Sequence, residues 1–239
     1  MHATKPSAGL TLALFLLSST AFAADTAPAA APMAPVKILD FFDSQALPAG
    51  PRPDGAIYTF VDRTDPSVVG LANYGASVIE SVGQQLIAET TRELATKETR
   101  QAVSTLHLKG LELPKDSPNR PKVTAVKRTS LMLRDPRNAP DGADAAALKR
   151  IRDQLLAGEA PDKVIVQKIE MPGQPLEWRV YRPIAASNSC LACHGDPAKF
   201  SPGVKEALDN LYPQDKAVDY AAQEWRGVIR VTLVPPEKK

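Results

Sequence analysis

The chain has 239 residues, 29 basic against 27 acidic, with 44% hydrophobic and 23% charged side chains. That length and balance fit one ordinary domain with extensions or two small ones, and exclude a wholly disordered chain. A formal charge of +2 provides no global field to gather nucleic acid, and 5% aromatic residues argue against a base-stacking surface. Two cysteines rule out a framework of several disulfides.

The first segment reads as an address. A weakly basic start (His2, Lys5) leads into the short apolar run Ala8 to Leu17 and ends at Ala21-Phe22-Ala23, an A-x-A cleavage pattern. The run falls short of the roughly 20 apolar residues that a spanning helix needs. Residues 1–23 are therefore expected to be a cleavable signal peptide, the alternative being an uncleaved anchor. The mature chain is expected in a bacterial periplasm, without a membrane span. Residues 24–56 carry prolines at 28, 32, 35, 48, 51 and 53. Proline removes a donor and fixes φ, so an extended, partly disordered arm is expected, with Val36 to Phe42 apolar enough to dock.

Globular sequence, residues 57–239, begins near Ile57. Thr64-Asp65-Pro66 reads as a helix start, a capping acid before proline at the first helical position. Val68, Leu71, Gly75, Val78, Val82 and Leu86 then recur near the helical period. The register weakens at Ala95-Thr96, and a second helix from Lys97 to about Leu108 is expected, stopped by Gly110 and Pro114. Lys122 to Leu133 reads as strand and Ala143 to Ala157 as helix closed by Gly158. Lys163 to Ile169 and Leu176 to Ile184 form an antiparallel hairpin around a five-residue loop. Trp225 to Val234 is the last strand. A long helix or helix pair followed by a mostly antiparallel sheet defines an α+β fold.

Chemistry concentrates at Cys190-Leu-Ala-Cys193-His194-Gly195. C-x-x-C-H is the attachment sequence of c-type heme. Two thiols at that spacing add across the vinyl groups of one porphyrin, and the adjacent imidazole reaches the iron. Both cysteines are accounted for, and the export signal fits. A thioredoxin-like motif would open a helix after a strand, whereas Gly195, Asp196 and Pro197 break the segment here. Structural zinc needs two further ligands, and His107 is the only other histidine once His2 has left. A plain disulfide leaves His194 unexplained. One covalent heme c is the expected cofactor, with His194 as the proximal iron ligand.

For the sixth iron position His107, one helical turn after Val103, competes with Met132, Met171 and an open site. The bland reading of His107 is a helix-end imidazole bonded to a carbonyl or to water. Arg128, Arg134 and Arg182 are candidates to hold the two heme propionates through their planar forks. Trp178 and Tyr181 are expected to pack the sheet.

Arg179-Val-Tyr-Arg-Pro-Ile184, CLACHG, Leu211-Tyr-Pro-Gln-Asp-Lys-Ala217 and Arg226-Gly-Val-Ile-Arg-Val231 together resemble a family of exported single-heme proteins. Arg128-Thr-Ser130 and Arg134-Asp-Pro-Arg-Asn-Ala-Pro-Asp141 extend the likeness, which covers about residues 64–234. The resemblance implies a PAS-like fold, with a long helical region and an antiparallel sheet cradling the heme. It also implies a role as heme or redox sensor. Some relatives carry a cysteine near the end of the helical region as distal iron ligand. This chain has none there, so histidine–histidine ligation through His107 is an inferred substitution. The function expected is redox or diatomic-gas sensing, or single-electron transfer, with a separate partner protein because no output domain follows. The alternatives are a peroxidase-like enzyme with an open sixth site and a non-heme exported interaction protein. No paired acid and base, phosphate loop or activated serine marks hydrolase or transferase chemistry.

Overall fold

The computed structural model describes residues 52–108 and 113–235, the side chains of His107 and Leu108 excepted. The signal-peptide reading, nearly all of the proline-rich arm, and Gly110 lie outside the described residues. No described helix is long and apolar enough to cross a membrane.

Five strands make one antiparallel sheet: β1 (Ile57–Val61), β2 (Lys122–Thr129), β3 (Ile165–Glu170), β4 (Glu177–Ala185) and β5 (Trp225–Val234), in the order β1-β3-β4-β5-β2. Residues Ile165 to Ile169 pair with Glu177 to Tyr181 as the hairpin pattern requires. The central strand β4 also pairs along its length with β5. β1 was not foreseen as a strand. It is a short edge strand whose Ile57 and Phe60 face solvent, so it shows no alternation.

Five helices are described: α1 (Val69–Thr96), α2 (Thr99–Leu108), α3 (Gly142–Leu156), the single turn α4 (Leu191–His194) and α5 (Pro202–Leu211). Helical hydrogen bonding of α1 starts three residues after Pro66. Asp65 nevertheless caps the turn before it, accepting from the Ser67 N–H at 2.8 Å and, through its carbonyl, from Val69 at 2.9 Å. The break between α1 and α2 falls at Lys97, which is extended. α5 also went unforeseen, although Ser201-Pro202 is a helix start by the same rule.

The two sheet faces bury different cores. Val78, Ile79 and Val82 of α1 pack on Val180, Ile229, Val231 and Leu233. Each such side chain, fully buried, contributes about 1.5–3 kcal/mol. α1 lies so close to β4 that a Cβ at Gly75 would stand 2.6 Å from Val180 Cγ2. On the other face Ala147, Leu148 and Ile151 of α3 meet Ile165, Tyr181, Trp225 and Val228. Trp178 packs on the α1 face and Tyr181 on the α3 face.

α3 is pinned by charge. Asp141 and Asp144 form a reciprocal capping box at its N-terminus. Asp144, fully buried, also receives Lys127 at 3.2 Å, Arg179 at 3.2 Å and Arg230 at 3.3 Å, one cation from each of three strands. The N-terminal partial charge of the helix favours both carboxylates there.

β2 ends at Thr129, four residues earlier than its apolar pattern predicts. The Ser130 hydroxyl donates to Arg226 O at 2.6 Å and accepts from the Met132 N–H at 3.1 Å, turning the chain away from the sheet. That turn delivers Arg134 to the site described next.

Candidate functional site

Cys190 closes a tight turn, Asn188–Cys190, and α4 carries the rest of the motif. The Ser187 hydroxyl sits 3.1 Å from Cys190 Sγ, and the Gly195 N–H ends the turn by donating to Leu191 O at 2.9 Å. Both cysteines are free and half-buried. Cys190 and Leu191 rest on the Trp225–Tyr220–Val228 core. Cys193 rests on a separate cluster, Val103 of α2 with Val204, Ala207 and Leu208 of α5. Burial pushes the Cys193 thiol up, against the pull of Arg134 and Arg226.

The segment 215–220 is stitched to the motif by backbone bonds. Asp219 N–H donates to Gly195 O at 2.9 Å, Tyr220 N–H to His194 O at 3.0 Å, and Lys216 N–H to Leu133 O at 2.8 Å. Asp219 adopts a φ of 63°, a conformation aspartate tolerates better than most residues. These bonds place Ala217 O 2.7 Å from His194 Nδ1. A carbonyl can only accept, so Nδ1 carries the proton and Nε2 presents its lone pair. Burial, then Arg226 and Arg134, hold the imidazole well below its usual pKa, and it is neutral.

Guanidinium groups crowd that lone pair. Arg226 Nη2 lies 2.6 Å from His194 Nε2, and Arg134 Nη1 lies 3.5 Å away. Burial, then Arg128, lowers Arg226 to about 10. Burial likewise lowers Arg128, with Arg134 adding to the effect. Arg134 is neutralised by Asp215 at 2.8 Å; among the described residues no carboxylate pairs with Arg128 or Arg226. The Tyr220 ring meets His194 edge-on at 6.5 Å, with its buried hydroxyl turned toward Ser130. Gly227, at φ 141°, lets β5 bend here. A Cβ on it would collide with Thr129 O.

The structure thus brings Cys190, Cys193, His194, Arg128 and Arg134 together. Arg182 lies elsewhere, on the α1 face of the sheet, where it pairs with Glu80. His107 is on α2, one turn beyond Val103; its side chain is outside the described residues. Met132 packs near Cys190 on the α3-side core, and Met171 is in the β3–β4 loop. Among the described residues no group of three or more His, Cys, Asp or Glu side chains could hold a bare metal ion. Sequence reasoning missed Arg226, Ala217, Asp215 and Tyr220 as site residues. The first three lie in LYPQDKA and RGVIRV, stretches that carry the family resemblance, so a signal was there without a role.

The site thus joins a thiol pair, a neutral imidazole with its lone pair directed, and two half-buried guanidinium groups that have no carboxylate partner among the described residues. The model of the Tll0287-like family matches residues 72–234, and the chain belongs to that family. Among solved structures, the crystal structure titled for the cyanobacterial heme-protein Tll0287 is similar at 19% identity and a TM-score of 0.43. The match covers 74% of this chain and 99% of that one. No curated protein matches the chain.

Proposed function

We propose that the chain is an exported, periplasmic protein carrying one heme c, of PAS-like architecture. Its task is redox or small-ligand sensing or single-electron transfer with a separate partner protein. The observation that carries the reading is the C-x-x-C-H motif with His194 Nδ1 engaged by Ala217 O at 2.7 Å. That bond fixes the tautomer and orientation that iron ligation needs. Family membership and the heme named for the cyanobacterial relative support it.

The residues fit the group. Cys190 and Cys193 would form the thioethers and His194 would be an axial ligand. Arg128 and Arg226, half-buried and without carboxylate partners among the described residues, would hold the propionates, as charge-assisted forks do. Arg226 now covers His194 Nε2, so the bound form requires this guanidinium to move aside. His107 would close the sixth position from α2. When bound, the heme supplies a one-electron couple or a coordination site. The chain's own part is to orient His194, to keep it neutral, and to balance the ligand's negative charge. Tyr220 and the two apolar clusters beneath the cysteines exclude water from the imidazole.

Expression in a host competent in cytochrome maturation tests this. Intact-mass analysis under denaturing conditions is expected to show one heme per chain, in the periplasmic fraction. His107→Ala is expected to abolish a low-spin spectrum while the heme stays attached. A bare polypeptide overturns the heme reading, and an unchanged spectrum overturns His107 as ligand.

A further inference from the structure

Ala217 O accepts more than the His194 proton. Arg134 Nη2 donates to the same oxygen at 3.3 Å, and the same nitrogen donates to Cys193 O inside the motif. Arg134 Nε is held by Asp215 Oδ2 at 2.8 Å, while Asp215 Oδ1 accepts the Ala217 N–H at 2.8 Å. Asp215, Arg134, Ala217 and His194 thus form a closed circuit, in which one ion pair fixes both the peptide bearing the acceptor and the cation that shares it. The pair is largely shielded, the two side chains being 14% and 11% exposed, and Tyr212 lies under the guanidinium at 5.8 Å. The thiols do not depend on this circuit, since Cys190 is placed by the Asn188–Cys190 turn and Cys193 by α4.

We propose that Arg134 and Asp215 are positioning residues that set the donor strength of His194, and through it the redox balance of the heme site. The inference rests on the heme reading above and deepens it. A carbonyl that already accepts from a cation has less electron density for a second donor, so its hold on the Nδ1 proton weakens. The imidazole keeps less imidazolate character and is a poorer donor to iron. A poorer donor favours the ferrous over the ferric state, and the potential is held up. The positive charge of Arg134 acts in the same direction. Asp215 separates the two effects. Through space its carboxylate lowers the potential, whereas as the anchor of Arg134 it raises it.

The test is potentiometric titration of the heme-loaded protein with dithionite, with Arg134→Gln, Arg134→Lys and Asp215→Asn beside the parent. Loading is checked first by intact mass. Arg134→Gln is expected to lower the ferrous-to-ferric ratio at fixed potential about tenfold, a shift of about 59 mV for one electron. Arg134→Lys keeps the charge but not the fork, and is expected to fall between the two. In Asp215→Asn the amide presents a donor to either Arg134 Nε or the Ala217 N–H, breaking the circuit. The potential is expected to fall, although a negative charge has been removed. The His194 Nδ1 proton, followed by NMR, is expected to exchange about tenfold more slowly in Arg134→Gln, because Ala217 O then accepts from it alone. Loaded variants with the parent's potential overturn the clamp alone, as does a rise in Asp215→Asn or an Arg134→Lys protein equal to the parent. A parent recovered without heme overturns the underlying reading and the clamp with it.

Discussion

At His194 a neutral, half-buried imidazole sits among cations, and its protonation must follow from that. Its folded pKa lies well below the ordinary imidazole value of 6.5. An unfolded chain therefore binds the proton more readily, and folding loses stability as pH falls through about 6.5. Unfolding by urea at pH 7 and pH 5 is expected to show this loss in the heme-free protein, and His194→Gln is expected to remove most of it. Asp141 acts in a lower window. Burial alone would raise its pKa, but the Asp144 N–H and the Arg179 guanidinium outweigh burial and lower it below 3.8. Its contribution is present above that value and is lost only in stronger acid. The identities of Cys190, Cys193 and His194 were legible from spacing alone. The environment of His194 was not, because Ala217 and Arg226 are 23 and 32 residues away in the chain. No local pattern reports a contact made through a loop.

Among the elements, α1 shows how a glycine can be a packing residue. Gly75 falls on the helical period with Val78 and Val82, and its missing side chain is what admits Val180. Gly75→Ala is expected to cost about 1–3 kcal/mol in urea unfolding, although alanine is the better helix former. Val180→Ala in the same chain is expected to recover part of that loss. The last strand, Trp225–Val234, matches its sequence reading end to end, since its apolar run is buried on both faces and is bounded by an irregular segment. β2 was overextended because Leu131 to Leu133 continue an apolar run that the Ser130 turn directs into the α3-side core instead. The edge strand β1 lacked periodicity, and α5 was overlooked beside the stronger signal of the motif.

Across the molecule, the α+β class and the antiparallel sheet followed from the change of period along the chain. The sheet order did not, because it depends on where β1 and β2 attach to the β3–β4–β5 core. The buried ion cluster is what joins those layers: Asp144 of α3 takes a cation from each of β2, β4 and β5. Removing the carboxylate leaves three cations facing one another around Asp141. Asp144→Ala is expected to cost about 3–5 kcal/mol in denaturant unfolding, with the heme site failing along with the fold. Single substitutions among the partners are expected to be milder, since two cations remain for the two acids.

The contact between Arg226 and His194 carries a consequence for selectivity. An imidazole on its own is an open invitation to stray zinc, copper or nickel. Here any incoming dication meets two guanidinium groups, no described cluster of three or more His, Cys, Asp or Glu side chains receives it, and like charges repel strongly where water is scarce. A porphyrin would arrive with carboxylates of its own, which give Arg226 somewhere to go, while Arg134 stays paired with Asp215. Arg226, which covers the imidazole nitrogen, would thereby also welcome the right guest.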